Sequence, residues 1–149
     1  MKTVSFVTDL SASIEAVHAF HCDTNNLPKI TPPWIKAQIV ELSLPLREGS
    51  VIVLDITRYG FTQRWTMEIE TLQAPHVVVD RSLKSPFHFF RHEHAFEPLE
   101  ENKTRMRDTI SFALPFEPFS KIVYPLVVWD LARMFAYRHQ ETQKLLVES

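Results

Sequence analysis

His88-Phe89-Phe90-Arg91-His92-Glu93-His94-Ala95-Phe96-Glu97 is the stretch from which the rest of this chain can be read. Side chains of an extended strand alternate between two faces. His88, Phe90, His92, His94 and Phe96 therefore share one side, and Phe89, Arg91, Glu93, Ala95 and Glu97 the other. The first face sets three imidazoles among phenylalanines, while the second is mostly charge. That composition suits the wall of a cavity better than a sealed core.

The next strand fixes a register. Glu100-Glu101-Asn102 reads as a turn, and the apolar alternation resumes from Lys103 to Leu114. Antiparallel pairing across that turn makes opposed residue numbers sum to about 202. Phe96 then faces Met106 and His94 faces Asp108 on the inner side. On the outer side Glu97 faces Arg105 and Glu93 faces Thr109, so one register gives an imidazole–carboxylate pair inside and an ion pair outside. Lys103, Arg105 and Arg107 then read as a solvated sheet face rather than a basic stripe for an anionic partner.

Working outward, Ala37 to Leu44, Ser50 to Tyr59, Phe61 to Leu72, His76 to Leu83, His88 to Pro98 and Lys103 to Leu114 are rich in β-branched and aromatic residues. They are joined by turn chemistry at Leu46-Arg47-Glu48-Gly49, Tyr59-Gly60, Ala74-Pro75 and Ser85-Pro86. Six strands in a meander follow. Ahead of them, Met1 to Leu10 alternates as a further strand. It stops where Ser11 or Ser13 can cap a short helix carrying Ile14, Val17 and Phe20. Thr31-Pro32-Pro33-Trp34 ends helical structure in that region.

Beyond Pro115 the pattern changes period. From about Pro118 to Val147 there is no glycine, and Val123, Val127, Leu131, Met134, Phe135, Arg138, Thr142 and Leu145 recur at three- and four-residue spacing. This predicts a long C-terminal helix. Pro118 suits an early helical position, whereas Pro125 removes a backbone bond a turn further in. The spacing predicts a kink or a late start near Tyr124.

Composition sets the outer bounds. A chain of 149 residues, 45% of them hydrophobic, is enough for one domain over 1–149 and too little for two. Sixteen basic against eighteen acidic side chains give a net charge of −2, which supplies no footprint for nucleic acid or an anionic membrane surface. The longest apolar run, Ile122 to Trp129, contains Pro125 and falls far short of the ~20 residues that cross a bilayer. The single cysteine, Cys22, cannot form an internal disulfide, and no signal peptide is visible at the start. A cytoplasmic location is expected, with neither nucleic acid nor membrane insertion. A homodimer remains compatible with the sequence. With only Gly49 and Gly60 in the chain, no glycine-rich phosphate loop or nucleophile elbow can exist.

The order of elements and several short stretches resemble bacterial members of the START-like SRPBCC superfamily. The stretches are Phe20-His21-Cys22-Asp23 with Asn26-Leu27, Ile30-Thr31-Pro32-Pro33, Pro45-Leu46-Arg47-Glu48-Gly49, Tyr59-Gly60 before Trp65, and Ser85-Pro86-Phe87 before His92-Glu93-His94-Ala95-Phe96. Asp108 before Leu114-Pro115-Phe116 and Phe135-Ala136-Tyr137-Arg138 complete the likeness, which runs over nearly the whole chain. Ser85 stands where that branch tends to carry glycine. The superfamily includes lipid-transfer domains, plant hormone-binding and pollen-allergen proteins, and polyketide cyclases. The resemblance implies an α+β helix-grip fold, a curved antiparallel sheet wrapped around a long C-terminal helix with two short helices after the first strand. It also implies a cavity between sheet and helix whose contents vary from member to member. The fold assigns no chemistry by itself.

The candidate site follows from both readings. Phe61, Gln63, Trp65 and Met67 alternate on one strand face and match Phe90 and Phe96 on another, as walls for an apolar ligand. His92, His94, Asp108 and, from the helix beside Met134, Arg138 are the groups placed to orient a polar end. Each wall residue also has a plain structural reading, since small β-rich domains need aromatic cores. His94 and Asp108 are the candidate acid–base groups, but satisfying each other inside the protein is an equally available role. A metal site needs a third and fourth ligand converging at about 2.0–2.2 Å, and no spacing here demands one. Neither a metal nor a cofactor is expected. Trp34 is a candidate gate at the cavity mouth, and Asp130 a residue that caps or pairs.

The sequence thus predicts binding of a small hydrophobic molecule, lipid, polyketide-like or aromatic, in the internal cavity. The alternatives are a cyclase or dehydratase using the same pocket, with Tyr59 among its candidate groups, and a module that binds another protein through the sheet.

Overall fold

Ser13 sits in extended backbone, and its hydroxyl accepts the Ala16 N–H at 3.2 Å, so the first helix, α1, runs Ile14–His21. In the computed structural model, which describes residues 1–148, α1 follows strand β1 (Lys2–Leu10). Asp23 accepts from the Asn25 N–H and starts a single 3-10 turn over Thr24–Asn26, which passes into the four-residue α2 (Leu27–Ile30).

The meander is β2 (Lys36–Glu41), β3 (Val51–Arg58), β4 (Phe61–Gln73), β5 (Val77–Lys84), β6 (Phe89–Glu100) and β7 (Lys103–Ala113). With β1 it makes a seven-stranded antiparallel sheet in the order β1-β7-β6-β5-β4-β3-β2. The β6–β7 ladder has the register read from the sequence, with Phe96 opposite Met106, His94 opposite Asp108, Glu97 opposite Arg105 and Glu93 opposite Thr109. The outer ion pair is different. β1 lies on the far edge of β7 and sets Asp9 opposite Arg105, whose guanidinium takes both Asp9 oxygens at 2.8 and 3.2 Å.

β2 ends at Glu41, earlier than the expected Leu44, as Pro45 and the turn at Gly49 (φ 89°) lead the chain off the ladder. Tyr59 and Gly60 both have positive φ, 53° and 79°, as a tight two-residue hairpin of type I′ requires. Glycine adopts that conformation freely. Ser85 makes its turn by hydrogen bonding, its hydroxyl accepting the Phe87 N–H and donating to Ser82. Register shifts between Thr66 and Met67 and between Ile69 and Thr71 mark bulges where β4 bends against β5.

The C-terminal helix, α3, spans Tyr124–Glu148. It starts late, as the proline positions predict, with Pro125 in a first turn that needs no N–H. Residues Phe119–Val123, expected as helix, form a 3-10 segment instead. Tyr124 anchors the start, its hydroxyl accepting the Leu114 N–H and donating to Glu117. Leu131, Phe135, His139 and Thr142 form the buried stripe of α3, and the Phe135 ring stacks on Phe6 at 5.0 Å. No helix among the described residues is long and apolar enough to cross a membrane.

Candidate functional site

Between the sheet and α3 lies a cavity of about 730 Å³. Its walls draw on both apolar clusters of the fold, Ile52, Leu54, Met67 and Ile69 on the sheet side and Leu131 and Phe135 on the helix side. Trp65 and Phe90 line it together, their rings edge-to-face at 5.2 Å with Phe87 against both. Met134 and Arg138 reach it from α3. Phe61, Gln63 and Tyr59 contribute at the rim and are exposed, Phe61 to 75%. Also at the rim, Arg58 clamps Asp130 with two 2.6 Å bonds and ties the β3–β4 hairpin to α3.

Three predicted residues are placed elsewhere. Phe96 lies one step past His94 on the same face of β6, but α1 covers it there. Its ring packs against His18 and His21 in the core and does not line the cavity. Asp108 is on β7, one strand further back, and is hidden behind imidazoles. Trp34 does not line the cavity either; its ring packs on Tyr137 and under the Arg133 guanidinium, 4.2 Å away.

His92 and His94 line the cavity with Asp80, and their rings lie 3.7 Å apart. The hydrogen bonds run diagonally across the ladder. Asp108 stands opposite His94 yet accepts from His92 Nε2 at 2.7 Å, and Asp80 stands opposite His92 yet bonds His94 Nε2 at 3.3 Å. His94 Nδ1 is 3.0 Å from Asp108 Oδ1 but out of line for a hydrogen bond. From α3, His139 Nε2 donates to the other Asp108 oxygen at 2.6 Å. Because an ionised carboxylate only accepts, Asp108 fixes the proton on Nε2 of both His92 and His139.

These contacts separate the two cavity imidazoles. Burial works against charge on His94, but Asp108 and Asp80 outweigh it and lift its pKa from the usual 6.5 to about 9. His92 is pushed the other way, by burial and by the charge on His94, and stays neutral. Burial, with His94 beside it, takes His21 down to about 3. Burial opposes the charge of Asp108, yet its hydrogen bonds from His139 and His92, with the His94 ring beside it, hold it well below the usual carboxylate range. A neutral imidazole and an imidazolium therefore sit side by side.

Asp80, His139, His21 and Arg58 were missed in the sequence. An acid directly after Val77-Val78-Val79 was a signal for Asp80, and His139 is four residues after Phe135 on the core stripe. Asp80, His92 and His94 offer donor atoms within 4.8 Å of one another, and these three residues could hold a divalent cation. Such an ion would have to displace the His94 proton and sit in the field of Arg138.

A seven-stranded antiparallel sheet gripping a long C-terminal helix over a cavity defines a START-like, helix-grip protein. The family of polyketide cyclase / dehydrase and lipid transport proteins matches residues 10–136, and the chain belongs to it. The chain is similar in structure to the ZhuI aromatase/cyclase of a Streptomyces species, with 17% identity, TM-score 0.77 and coverage of 97% of this chain and 93% of that one. A START superfamily protein of Mycobacterium smegmatis shares 15% identity over 98% and 97%, with TM-score 0.75. Norcoclaurine synthase of Thalictrum flavum, solved with dopamine and hydroxybenzaldehyde, shares 15% over 99% and 87%, with TM-score 0.72. At these identities the likeness is one of fold. No curated protein sequence matches the chain.

Proposed function

We propose that the protein binds a small hydrophobic molecule, lipid, polyketide-like or aromatic, in the cavity between sheet and α3. The carrying observation is the cavity itself, about 730 Å³ with apolar walls and one polar end. Burial of the ligand's apolar body supplies affinity, and His92, His94 and Arg138 orient its polar end. Asp108 acts behind them, holding the imidazoles in place. Phe61, Gln63, Trp65, Met67, Phe90 and Met134 contact the body. The test is native mass spectrometry of freshly purified protein. A co-purifying organic mass that His94→Ala weakens, with no turnover, supports binding, and an empty cavity that no apolar probe enters sinks it.

One observation favours a second reading, an enzyme of the cyclase or dehydratase type. A neutral His92 beside a charged His94 is a base next to an acid, the arrangement that general acid–base chemistry uses near neutral pH. A bell-shaped rate profile lost in His94→Ala supports that reading. A protein-binding module is less favoured, because the outer sheet face is threaded with ion pairs such as Arg64–Asp55, Arg81–Glu68 and Arg91–Glu70.

A further inference from the structure

We propose that the ligand is a monoanion, a carboxylic acid bound as its carboxylate with its head on the Arg138 guanidinium. This rests on the binding reading above and names the class of molecule that the site takes.

Four arginines of the chain are not exposed: Arg58, Arg91, Arg105 and Arg138. The first three each hold a carboxylate, Asp130, Glu70 and Asp9. Arg138 alone makes no hydrogen bond or ion pair with a protein group among the described residues, although it lines the cavity. A guanidinium carries five N–H donors and keeps its charge, so leaving it without an acceptor is costly once water is displaced. Nearby carboxylates do not meet the need. Asp80 is engaged by His94 and Asp108 by His92 and His139. The Phe135 ring, 5.0 Å from the guanidinium carbon, backs the group and helps to set its plane.

Charge selects the kind of anion. The polar end already holds two carboxylates, Asp80 and Asp108, both engaged by imidazoles. One further negative charge can be met by the unused donors of Arg138, whereas a phosphate dianion would add twice that charge beside these two carboxylates. A planar carboxylate also matches the two-pronged guanidinium edge. The apolar walls take the remainder of the molecule.

The experiment compares dodecanoate, dodecanamide and dodecanol by competition against a fluorescent neutral probe, with naphthalene-2-carboxylate and its amide as a rigid pair. The expected result is that each carboxylate binds at least tenfold more tightly than its neutral partner. Arg138→Gln should abolish that preference, the carboxylates losing at least tenfold more affinity than dodecanol does, and Arg138→Lys should keep part of it. Equal binding of acid, amide and alcohol to the wild-type protein overturns the inference but leaves the binding reading standing. Failure of every probe to bind overturns both. Should Arg138→Gln not fold, the wild-type comparison decides alone.

Discussion

His139 reaches from the middle of α3 and donates a hydrogen bond from its Nε2 to Asp108 of β7, 2.6 Å away, and this bond is a buried polar tie between helix and sheet. The same carboxylate bonds His92 with its other oxygen, so one group orients imidazoles on both sides of the interface. The cavity's polar end is thus held from behind.

Asp108→Asn should be strongly destabilising. The charge that compensates His94 disappears, and one amide NH₂ must now face an imidazole N–H. Breaking a buried ionic cluster by removing one partner costs about 3–5 kcal/mol. Urea unfolding that shows a loss under about 1 kcal/mol would contradict the central role given to this residue.

Stability should fall on the alkaline side because of His94. Its pKa is about 9 folded against 6.5 unfolded. Below pH 6.5 both states hold the proton, and between 6.5 and 9 only the folded state keeps it, so each rise in pH weakens folding. The groups setting this are Asp80 on β5, His92 on β6, Asp108 on β7, His21 on α1 and Arg138 on α3. The contribution is on the order of 3 kcal/mol at most. Thermal melts from pH 6 to 10 should slope downward in the wild type and be flatter in His94→Gln; parallel curves would refute the assignment.

Met134 and Phe135 are neighbours with different work. Phe135 is 1% exposed and belongs to the core as well as to the cavity wall, whereas Met134 is only half-buried and lines the cavity outside that core. Phe135→Ala should cost about 3–5 kcal/mol, and Met134→Ala much less, because its side chain already borders empty space. Conversely, Met134→Trp should reduce uptake of apolar probes with little change in melting temperature. Equal destabilisation by the two alanine variants would mean that the cavity is not where the geometry places it.

Arg58 and Asp130 make a bidentate pair at the rim, their side chains 30% and 22% exposed. Partial exposure screens the pair, so a double-mutant cycle should give a coupling of about 1 kcal/mol, declining in high salt. Its loss should also speed probe release, since the hairpin is no longer tied to α3. Unchanged release kinetics in Arg58→Ala would remove the rim from any account of ligand exchange.

The β6–β7 register, the Ser13 cap and the late start of α3 at Tyr124 were legible in the sequence. They depend on strand alternation, on one hydroxyl within reach of a backbone N–H, and on what a proline ring forbids, all of which act over a few residues. The apolar wall of Trp65, Met67 and Phe90 was legible for the same reason. The partners of the polar groups were not. Arg105 had acids available on both neighbouring strands, and only the placing of β1 against β7 gave it Asp9 rather than Glu97. Asp108 was read with His94 in register, but the diagonal arrangement of side chains passed its hydrogen bond to His92 and gave His94 to Asp80. His139 joined them from 31 residues away. Which side of each element is buried is a local property of the chain, so the sequence by itself determined it. Which charge meets which, and where space is left unfilled, depends on how α1 and α3 lie on the bent sheet, and only the packed tertiary structure decides that.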